Sequence, residues 1–428
     1  MSPVDLGIIR PPVPAITQVL PAEPLLLMGA GPVPVPAEVA RAGGMVINHL
    51  GETMNRVVDR IKEMSRYVFQ TRDDKIFGVS GPASAAMEMA VGNLLWPGRK
   101  VLVLKMGTFS GRFAEMAEGV GAEVQLLEVP EGEPITAALV KKRLEDEEFD
   151  VVTLVQGETS CGVWTSELPQ IARLFRGTGT LVIADAVCTL STMPMKKDDW
   201  GMDVVFTASQ KGLSSLPGVA LISFSEAAWE AARRHPGPKP HWCLDVVRAQ
   251  KFWGGEHSYH YTAPVTGLLA LYEALRLIGE ETLERRFKRH RHSSLALQAG
   301  IEGLGLQLSI PCKYRLKSVL AIDVPRGVDA GQARKYMSDR FKVEISGAFG
   351  LDIVRIGQMG EQCRELNLFR TLHALGVAFA REGAKLDLSQ GMAELESYLA
   401  RHLDSVQVPA GLVEENHLSA PLTGWKVS

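Results

Sequence analysis

Two residues with catalytic potential follow short apolar runs in the middle of the chain. Asp185 comes directly after Leu181–Ala184, and Lys211 comes shortly after Val204–Thr207. A lysine amine can form an imine with a carbonyl compound, and a carboxylate can keep a pyridine nitrogen protonated. An acid and a lysine at the ends of neighbouring buried strands therefore favour a site for pyridoxal 5′-phosphate (PLP). A structural ion pair at the rim of a sheet explains the same two residues.

A third candidate segment is a turn of small residues before a predicted helix. The strand predicted at Phe77–Ser80 is joined to the helix predicted at Ala85–Leu95 by Gly81, Pro82, Ala83 and Ser84. Unpaired backbone N–H groups and the positive end of the helix dipole make the start of a helix a suitable phosphate site. A plain helix cap at Ser80 or Ser84 explains the same composition without a ligand.

The elements that position these residues are short apolar runs, which alternate with amphipathic segments. The runs predict strands at Val101–Leu104, Val151–Val155, Leu181–Ala184, Val204–Thr207 and Val219–Ser223. Helical spacing is found between them at Phe113–Gly121, Ile135–Glu147 and Leu168–Phe175. Apolar runs without alternation indicate strands that are buried on both faces, and hence a mostly parallel sheet wrapped by helices.

The pattern changes after about residue 265, where an α+β block begins. Helices are predicted at Val265–Gly303, Ala330–Phe341 and Glu365–Glu382, and strands at Val319–Val324, Val343–Ser346 and Val354–Gly357. We therefore expect a large domain over residues 24–285 and a smaller C-terminal α+β domain over residues 286–403. A Pro-rich extended arm is expected over residues 1–23, and a weakly patterned tail over residues 404–428.

Composition and charge argue against several classes of protein. The 428 residues are 46% apolar and 22% charged, and the formal net charge of −3 gives no footprint for binding nucleic acid. No apolar run reaches the roughly 18 residues of a membrane span. The five cysteines form no C-x-x-C pair, and no His or Cys set has metal-ligand spacing. We expect a cytoplasmic protein without a membrane span, a disulfide framework or a metal.

Several segments together resemble one known family. Over about residues 24–400 the chain is similar to the alanine–glyoxylate and serine–pyruvate aminotransferases, which are class V aminotransferases of PLP fold type I. The segments that carry this resemblance are 25–34, 67–73, 156–163, 184–190, 209–225, 259–268 and 353–360. Segment 326–346 is similar to the ureidoglycine–glyoxylate branch, while 30–33 and 355–360 are similar to pyridoxamine–pyruvate aminotransferase. The resemblance implies an α/β fold whose large domain holds a mostly parallel seven-stranded sheet.

The resemblance also implies roles for individual residues around the cofactor. Lys211 would hold PLP as an imine and then carry a proton between the substrate Cα and the cofactor carbon C4′. Asp185 would pair with the pyridinium nitrogen. The other implied cofactor-binding residues are Gly81, Pro82, Ala83, Ser84, Phe109, Thr159, Val187, Gln210, Tyr259 and Thr262. Tyr259 and Thr262 would reach the phosphate from a partner subunit, so the resemblance implies a homodimer with shared active sites.

A second set of residues is implied to bind the substrate. Arg355 would clamp the substrate carboxylate with a pair of parallel hydrogen bonds. The backbone around Gly29, Ala30 and Gly31 would close the same pocket. His49 lies where relatives line the active-site entrance, and a structural histidine is an equally good interpretation.

The expected activity is the transfer of an amino group from a small alanine-like or serine-like amino acid to a small 2-oxo acid such as glyoxylate or pyruvate. Pro82-Ala83-Ser84 and Val33-Pro34 depart from the family pattern near the expected cofactor and substrate sites, and Pro82 has no N–H to donate. The alternatives are a ureidoglycine–glyoxylate or pyridoxamine–pyruvate aminotransferase, a PLP-dependent lyase of the same fold, and a non-catalytic relative that acts as a scaffold.

Overall fold

A seven-stranded sheet forms the centre of the larger part of the computed structural model, which describes residues 11–348 and 350–401. Its strands lie side by side in the order Lys75–Ser80, Val219–Phe224, Val204–Ala208, Leu181–Asp185, Val151–Val155, Lys100–Lys105 and Glu123–Glu128. Val219–Phe224 runs antiparallel to both of its neighbours, and the other neighbouring pairs are parallel. The predicted mostly parallel seven-stranded sheet is confirmed.

The central strands are buried along their whole length, as the unbroken apolar runs predict. Every residue of Val151–Val155, Leu181–Asp185, Val204–Ala208 and Val219–Phe224 is buried. The α-helices of this part are Ala37–Gly43, Glu52–Phe69, Ala83–Leu94, Thr108–Gly119, Ala137–Arg143, Leu168–Arg173, Lys197–Trp200, Glu226–Arg233, Val246–Trp253 and Val265–Glu281. Strands covered on both faces exclude water from the sheet and leave its ends as the place for polar chemistry.

A second hydrophobic core lies in the C-terminal part of the chain. It is built by helices Leu283–Gly303, Ala330–Tyr336, Glu365–Arg381 and Leu388–Arg401 around the antiparallel strands Val319–Asp323 and Ile353–Gly357. The N-terminal strand Leu26–Leu27 pairs with Val343–Glu344, and Met28 is buried in this second core. The domain boundaries at residues 24, 285 and 403 stay a prediction.

The long helical stretch predicted at Val265–Gly303 is two helices that meet at Thr282. This residue has φ 65° and ψ 148°, which end the first helix. Its side chain accepts a hydrogen bond from the Arg285 N–H and so caps the second helix, at Leu283. The prediction of one helix was wrong because the apolar periodicity continues across the break.

The two ends of the chain correspond only partly to the predictions made for them. Residues 11–15 are exposed, but Ile16–Val19 forms a short helix, so this segment is not wholly extended. Residues 1–10 of the predicted arm and the predicted tail 404–428 lie outside the described residues. Within the described ranges, no helix is long and apolar enough to cross a bilayer.

Candidate active site

Lys211 lies in a tight turn that follows the buried strand Val204–Ala208. The Lys211 N–H donates to the Ala208 carbonyl at 3.4 Å, and the Lys211 carbonyl accepts from the Ser214 N–H at 2.9 Å. The side-chain amine donates to the carbonyl of Ala30. A Cβ atom at Gly31 would lie 2.6 Å from Lys211 Cδ, so the backbone passes close to the lysine side chain, and its φ of +98° favours glycine there.

The amine of Lys211 is held in surroundings that favour its neutral form. Burial lowers its pKa from the ordinary lysine value, and the positive charge of Arg355 acts in the same direction. The negative charge of Asp185 acts the opposite way. A lysine with a lowered pKa is a better nucleophile and base near neutral pH, which is the property that a covalent cofactor site requires.

Asp185 ends the strand next to the one that leads to Lys211, and it pairs with Phe206 in the parallel register. Its carboxyl is 6% exposed, and the Val187 N–H donates to its Oδ1 at 2.7 Å. Burial raises the pKa of Asp185 to about 7. A buried carboxyl with a raised pKa suits a cationic partner, and a protonated pyridine nitrogen is such a partner.

Arg355 is a buried cation on the strand Ile353–Gly357, and it is 5% exposed. Its Nε donates to the Gly347 carbonyl at 2.8 Å, and Nη2 donates to the same oxygen. Its Nη1 donates to the Thr159 carbonyl at 2.6 Å, across 196 positions of sequence. These contacts fix the plane of the guanidinium group between the two cores, as binding of a planar carboxylate requires.

The segment Gly29–Gly31 connects Arg355 with Lys211. The Ala30 N–H donates to Ser346 Oγ at 3.0 Å, and Ser346 exchanges backbone hydrogen bonds of 3.1 and 2.7 Å with Arg355. The Ala30 carbonyl accepts from Lys211 on its other side. The structure therefore brings Lys211, Asp185, Arg355 and the predicted backbone segment to one place, at the carboxyl end of the sheet.

The predicted phosphate turn has the geometry of a helix start. Gly81 has φ +145°, and its N–H donates to the Gly218 carbonyl at 2.9 Å. The helix begins at Ala83, with Pro82 as its cap. The N–H groups of Ala83 and Ser84 stand in the first turn, where helices lack internal acceptors, so these residues fit a phosphate even though Pro82 cannot donate.

Arg112 is a cation near this turn that the sequence analysis missed. Its Nη1 donates to Ser84 Oγ at 3.4 Å, and its guanidinium group lies 4.7 Å from the ring centre of Phe109. Gln210 is half-buried, and its carbonyl accepts from the Val33 N–H at 3.1 Å. The sequence did contain a signal for Arg112, because it lies three residues after Phe109, the predicted stacking aromatic.

Glu158 is a second residue that sequence reasoning did not single out. This buried carboxylate accepts backbone N–H groups from Phe109 at 3.3 Å, Ser110 at 2.8 Å and Ser160 at 3.1 Å. The hydroxyls of Ser110 and Ser160 donate to it at 3.0 and 2.6 Å. Glu158 thereby fixes both Phe109 and the neighbouring Thr159, two of the predicted cofactor contacts. Its position between small polar residues in Gly157–Ser160 is the signal that identifies it.

Tyr259 and Thr262 have exposed side chains. Tyr259 is 60% exposed and Thr262 is also exposed. His49 packs edge-to-face against Tyr259, with 5.8 Å between the ring centres. Among the described contacts, none joins these three side chains to Lys211 or Arg355 of the same chain. Val187, by contrast, is half-buried beside Asp185, and its packing on the cofactor ring stays a prediction.

Residues 37–363 match the family model for class V aminotransferases. The chain belongs to this family. Class V aminotransferases depend on PLP, so the predicted family, the cofactor and the aminotransferase activity are confirmed. The buried Asp185, the crowded amine of Lys211 and the helix start at Ala83 are residues that fit this cofactor.

Relatives of this class V aminotransferase match it over most of its length. Alanine–glyoxylate aminotransferase of Mus musculus is 33% identical over 374 residues, which cover 85% of this chain and 90% of the relative. The crystal structure of ureidoglycine–glyoxylate aminotransferase from Bacillus subtilis has a TM-score of 0.87, is 29% identical, and covers 89% of this chain and 99% of its own. The crystal structure of pyridoxamine–pyruvate aminotransferase from Mesorhizobium loti has a TM-score of 0.85 and is 26% identical. That match covers 89% of this chain and 98% of the neighbour's chain.

Proposed function

We propose that this aminotransferase moves the amino group of a small amino acid, such as alanine or serine, to glyoxylate or pyruvate. The observation that carries the proposal is the buried Arg355, whose guanidinium plane is fixed by two carbonyls beside the segment that touches Lys211. A single carboxylate clamp suits substrates that have one carboxylate. The mouse relative, which is named for alanine and glyoxylate, supports the same pair.

Bound PLP supplies an electron sink that stabilises negative charge on the substrate α-carbon. The residues of this chain supply binding, orientation and proton transfer. With the cofactor bound, the amine of Lys211 would accept the proton from the substrate Cα and donate it back in the second half of the transfer, because burial lowers its pKa and favours the neutral amine. Asp185 would keep the ring nitrogen of the cofactor protonated by placing a buried carboxylate beside it.

The substrate is oriented by Arg355 and by the backbone of Gly29–Gly31. A bidentate pair between a guanidinium group and a carboxylate fixes both the position and the plane of the substrate. The backbone approaches Lys211 so closely at Gly31 that little space remains on this side of the amine. Close packing on this side favours small substrates and excludes water from the reacting atoms.

A second subunit completes the site in this proposal. The exposed Tyr259 and Thr262 and the adjacent His49 form a polar and aromatic surface with no contact to their own Lys211. We infer that this surface serves the active site of a second copy of the chain in a homodimer. We also assign the enzyme to the cytoplasm, because its five cysteines are free thiols without a C-x-x-C pair.

Two other donors are candidates because of the structural neighbours. The chains with TM-scores of 0.87 and 0.85 are named for ureidoglycine and for pyridoxamine. The test is a spectral titration of the PLP-loaded protein with L-alanine, L-serine, ureidoglycine and pyridoxamine in turn, each followed by glyoxylate or pyruvate. We expect a small amino acid to remove the visible band of the bound cofactor and a 2-oxo acid to restore it. A response to ureidoglycine or pyridoxamine alone would replace the proposed donor.

A further inference from the structure

Arg286 is a buried cation directly behind the turn that carries Lys211. It lies on the helix Leu283–Gly303 and is 4% exposed. Its Nη2 donates to the Gly212 carbonyl at 2.6 Å, and its Nε donates to Ser191 Oγ at 3.3 Å. Its Nη1 forms an ion pair with Glu281 at 2.7 Å. Each nitrogen of the guanidinium group therefore has a separate, fixed partner.

Gly212, the residue after Lys211, is held from two directions. The hydroxyl of Ser191 donates to the Gly212 carbonyl at 2.7 Å, so this oxygen accepts from both Ser191 and Arg286. A Cβ atom at Gly212 would lie 2.3 Å from the Leu190 carbonyl. The plane of the Gly212–Leu213 peptide is thus set by the segment that follows Asp185 and by Arg286.

Glu281, the partner of Arg286, is also linked through Arg289 to the segment that follows Arg355. Glu281 also accepts from Arg289, at 2.6 and 3.0 Å, and Arg289 Nη1 donates to the Gly360 carbonyl at 2.8 Å. Gly360 comes shortly after the strand that holds Arg355, and its N–H donates to His290 Nε2 at 2.9 Å. The Glu281 carboxylate therefore joins two guanidinium groups of one helix, and each of them donates to a different catalytic segment, Arg286 to Gly212 and Arg289 to Gly360.

A buried ion pair is a weak source of stability, since the loss of hydration offsets most of the Coulomb attraction. The guanidinium group instead fixes the orientation of the groups that it binds, because its donors lie in one rigid plane. We propose that Arg286 is a positioning residue that sets the conformation of the Lys211 turn and, through Glu281 and Arg289, joins this turn to the segment that carries Arg355. The proposal rests on the proposed roles of Lys211 and Arg355.

The test compares Arg286→Lys and Arg286→Gln with Arg285→Gln, a neighbouring exposed arginine on the same helix. Arg286→Lys keeps the charge opposite Glu281 and removes the planar fork, so it is the variant best suited to fold. Hydrogen exchange of the peptide 207–216 is measured in the protein without PLP, and kcat and KM are measured in the loaded enzyme. We expect faster exchange of this peptide in both Arg286 variants, and kcat lower by about 10- to 100-fold with KM changed less.

Each outcome decides between a positioning role and a purely structural one. Unchanged exchange in 207–216 and unchanged kcat in both variants would overturn the proposal. Equally faster exchange in the core peptide 101–104, which lies two strands away from Leu181–Asp185 in the sheet, would also overturn it, because that result describes a general loss of structure. If the wild type transfers no amino group at all, the proposed function fails, whereas the exchange of 207–216 still reports whether Arg286 holds the turn.

Discussion

The cofactor side and the substrate side of this site are built in different ways. Asp185 ends one of two neighbouring parallel strands that are buried along their whole length, and Lys211 shortly follows the other. Arg355 is instead fixed by contacts between distant segments, of which the Arg355–Thr159 hydrogen bond spans 196 positions and the Ala30–Ser346 hydrogen bond spans 316. In the proposed site, the residues that would hold the cofactor are thus positioned by the main core, whereas the position of Arg355 depends on how two cores meet.

Because of this difference, we expect variants of the cofactor side to lower the rate of the reaction and variants of the substrate side to weaken substrate binding. Lys211→Ala removes the amine that moves the proton, so we expect kcat to fall by at least about 10³-fold. Lys251→Ala, which changes an exposed lysine, serves as the control. Transamination by the Lys211 variant at a rate near that of the wild type would refute the assignment of the cofactor side.

Asp185→Asn tests the electrostatic half of the cofactor side. We expect kcat to fall by about 10²- to 10⁴-fold, because an amide cannot hold a proton on the ring nitrogen through charge. The affinity for PLP, measured by equilibrium dialysis, should fall as well. Equal PLP affinity and equal kcat in the variant and the wild type would show that the carboxylate does not face the cofactor.

The same variant has a pH signature in the protein without PLP. Burial raises the pKa of Asp185 to about 7, above its ordinary value of 3.8. The folded protein then binds a proton that the unfolded chain has released, so the stability of the wild type falls as pH rises from about 4 to about 7. We expect Asp185→Asn to gain stability relative to the wild type across this range in chemical unfolding. A pH-independent difference would contradict the raised pKa.

Arg355→Gln tests the substrate side, with a smaller expected effect. Loss of a charge-assisted pair should lower kcat/KM by about 10- to 100-fold for both the amino acid and the 2-oxo acid. PLP affinity should stay close to that of the wild type, because the cofactor is fixed by the other side. A large loss of PLP affinity with unchanged KM would reverse the division between the two sides.

Tyr259→Phe gives the smallest expected effect and tests the shared site. Removal of one phenol hydroxyl should lower PLP affinity by about 10-fold, the range of one hydrogen bond to a charged group. Mixing this variant with Lys211→Ala should give hybrid dimers with one site that has both wild-type residues and one site that lacks both. PLP affinity equal to the wild type in Tyr259→Phe homodimers would argue against a contribution from the partner subunit.

The sequence predicted the cofactor side better than the substrate side, for a physical reason. The strands around Asp185 and Lys211 are unbroken apolar runs, so their burial and parallel pairing follow from composition. Glu123–Glu128 was missed because it is an edge strand without a buried residue and with three charged or amide side chains. Glu52–Phe69 was missed although its amphipathic spacing is regular.

Contacts between segments that are distant in the sequence could not be predicted from local sequence patterns. Glu158 and Arg112 act through partners from two or more segments, and no spacing in the sequence indicates which groups they contact. Arg355 was found through family resemblance, and its carbonyl partners Gly347 and Thr159 became visible only in the structure. Tertiary packing decides such contacts, and it also decides the break at Thr282.

The most direct test of the account follows heavy nitrogen from donor to acceptor. Wild-type enzyme loaded with PLP is incubated with glyoxylate and L-alanine that carries heavy nitrogen, and the products are analysed by mass spectrometry. The account predicts labelled glycine and pyruvate in equal amounts, with product formation abolished in Lys211→Ala. Release of the label as ammonia, or formation of pyruvate without labelled glycine, would contradict amino transfer at this site.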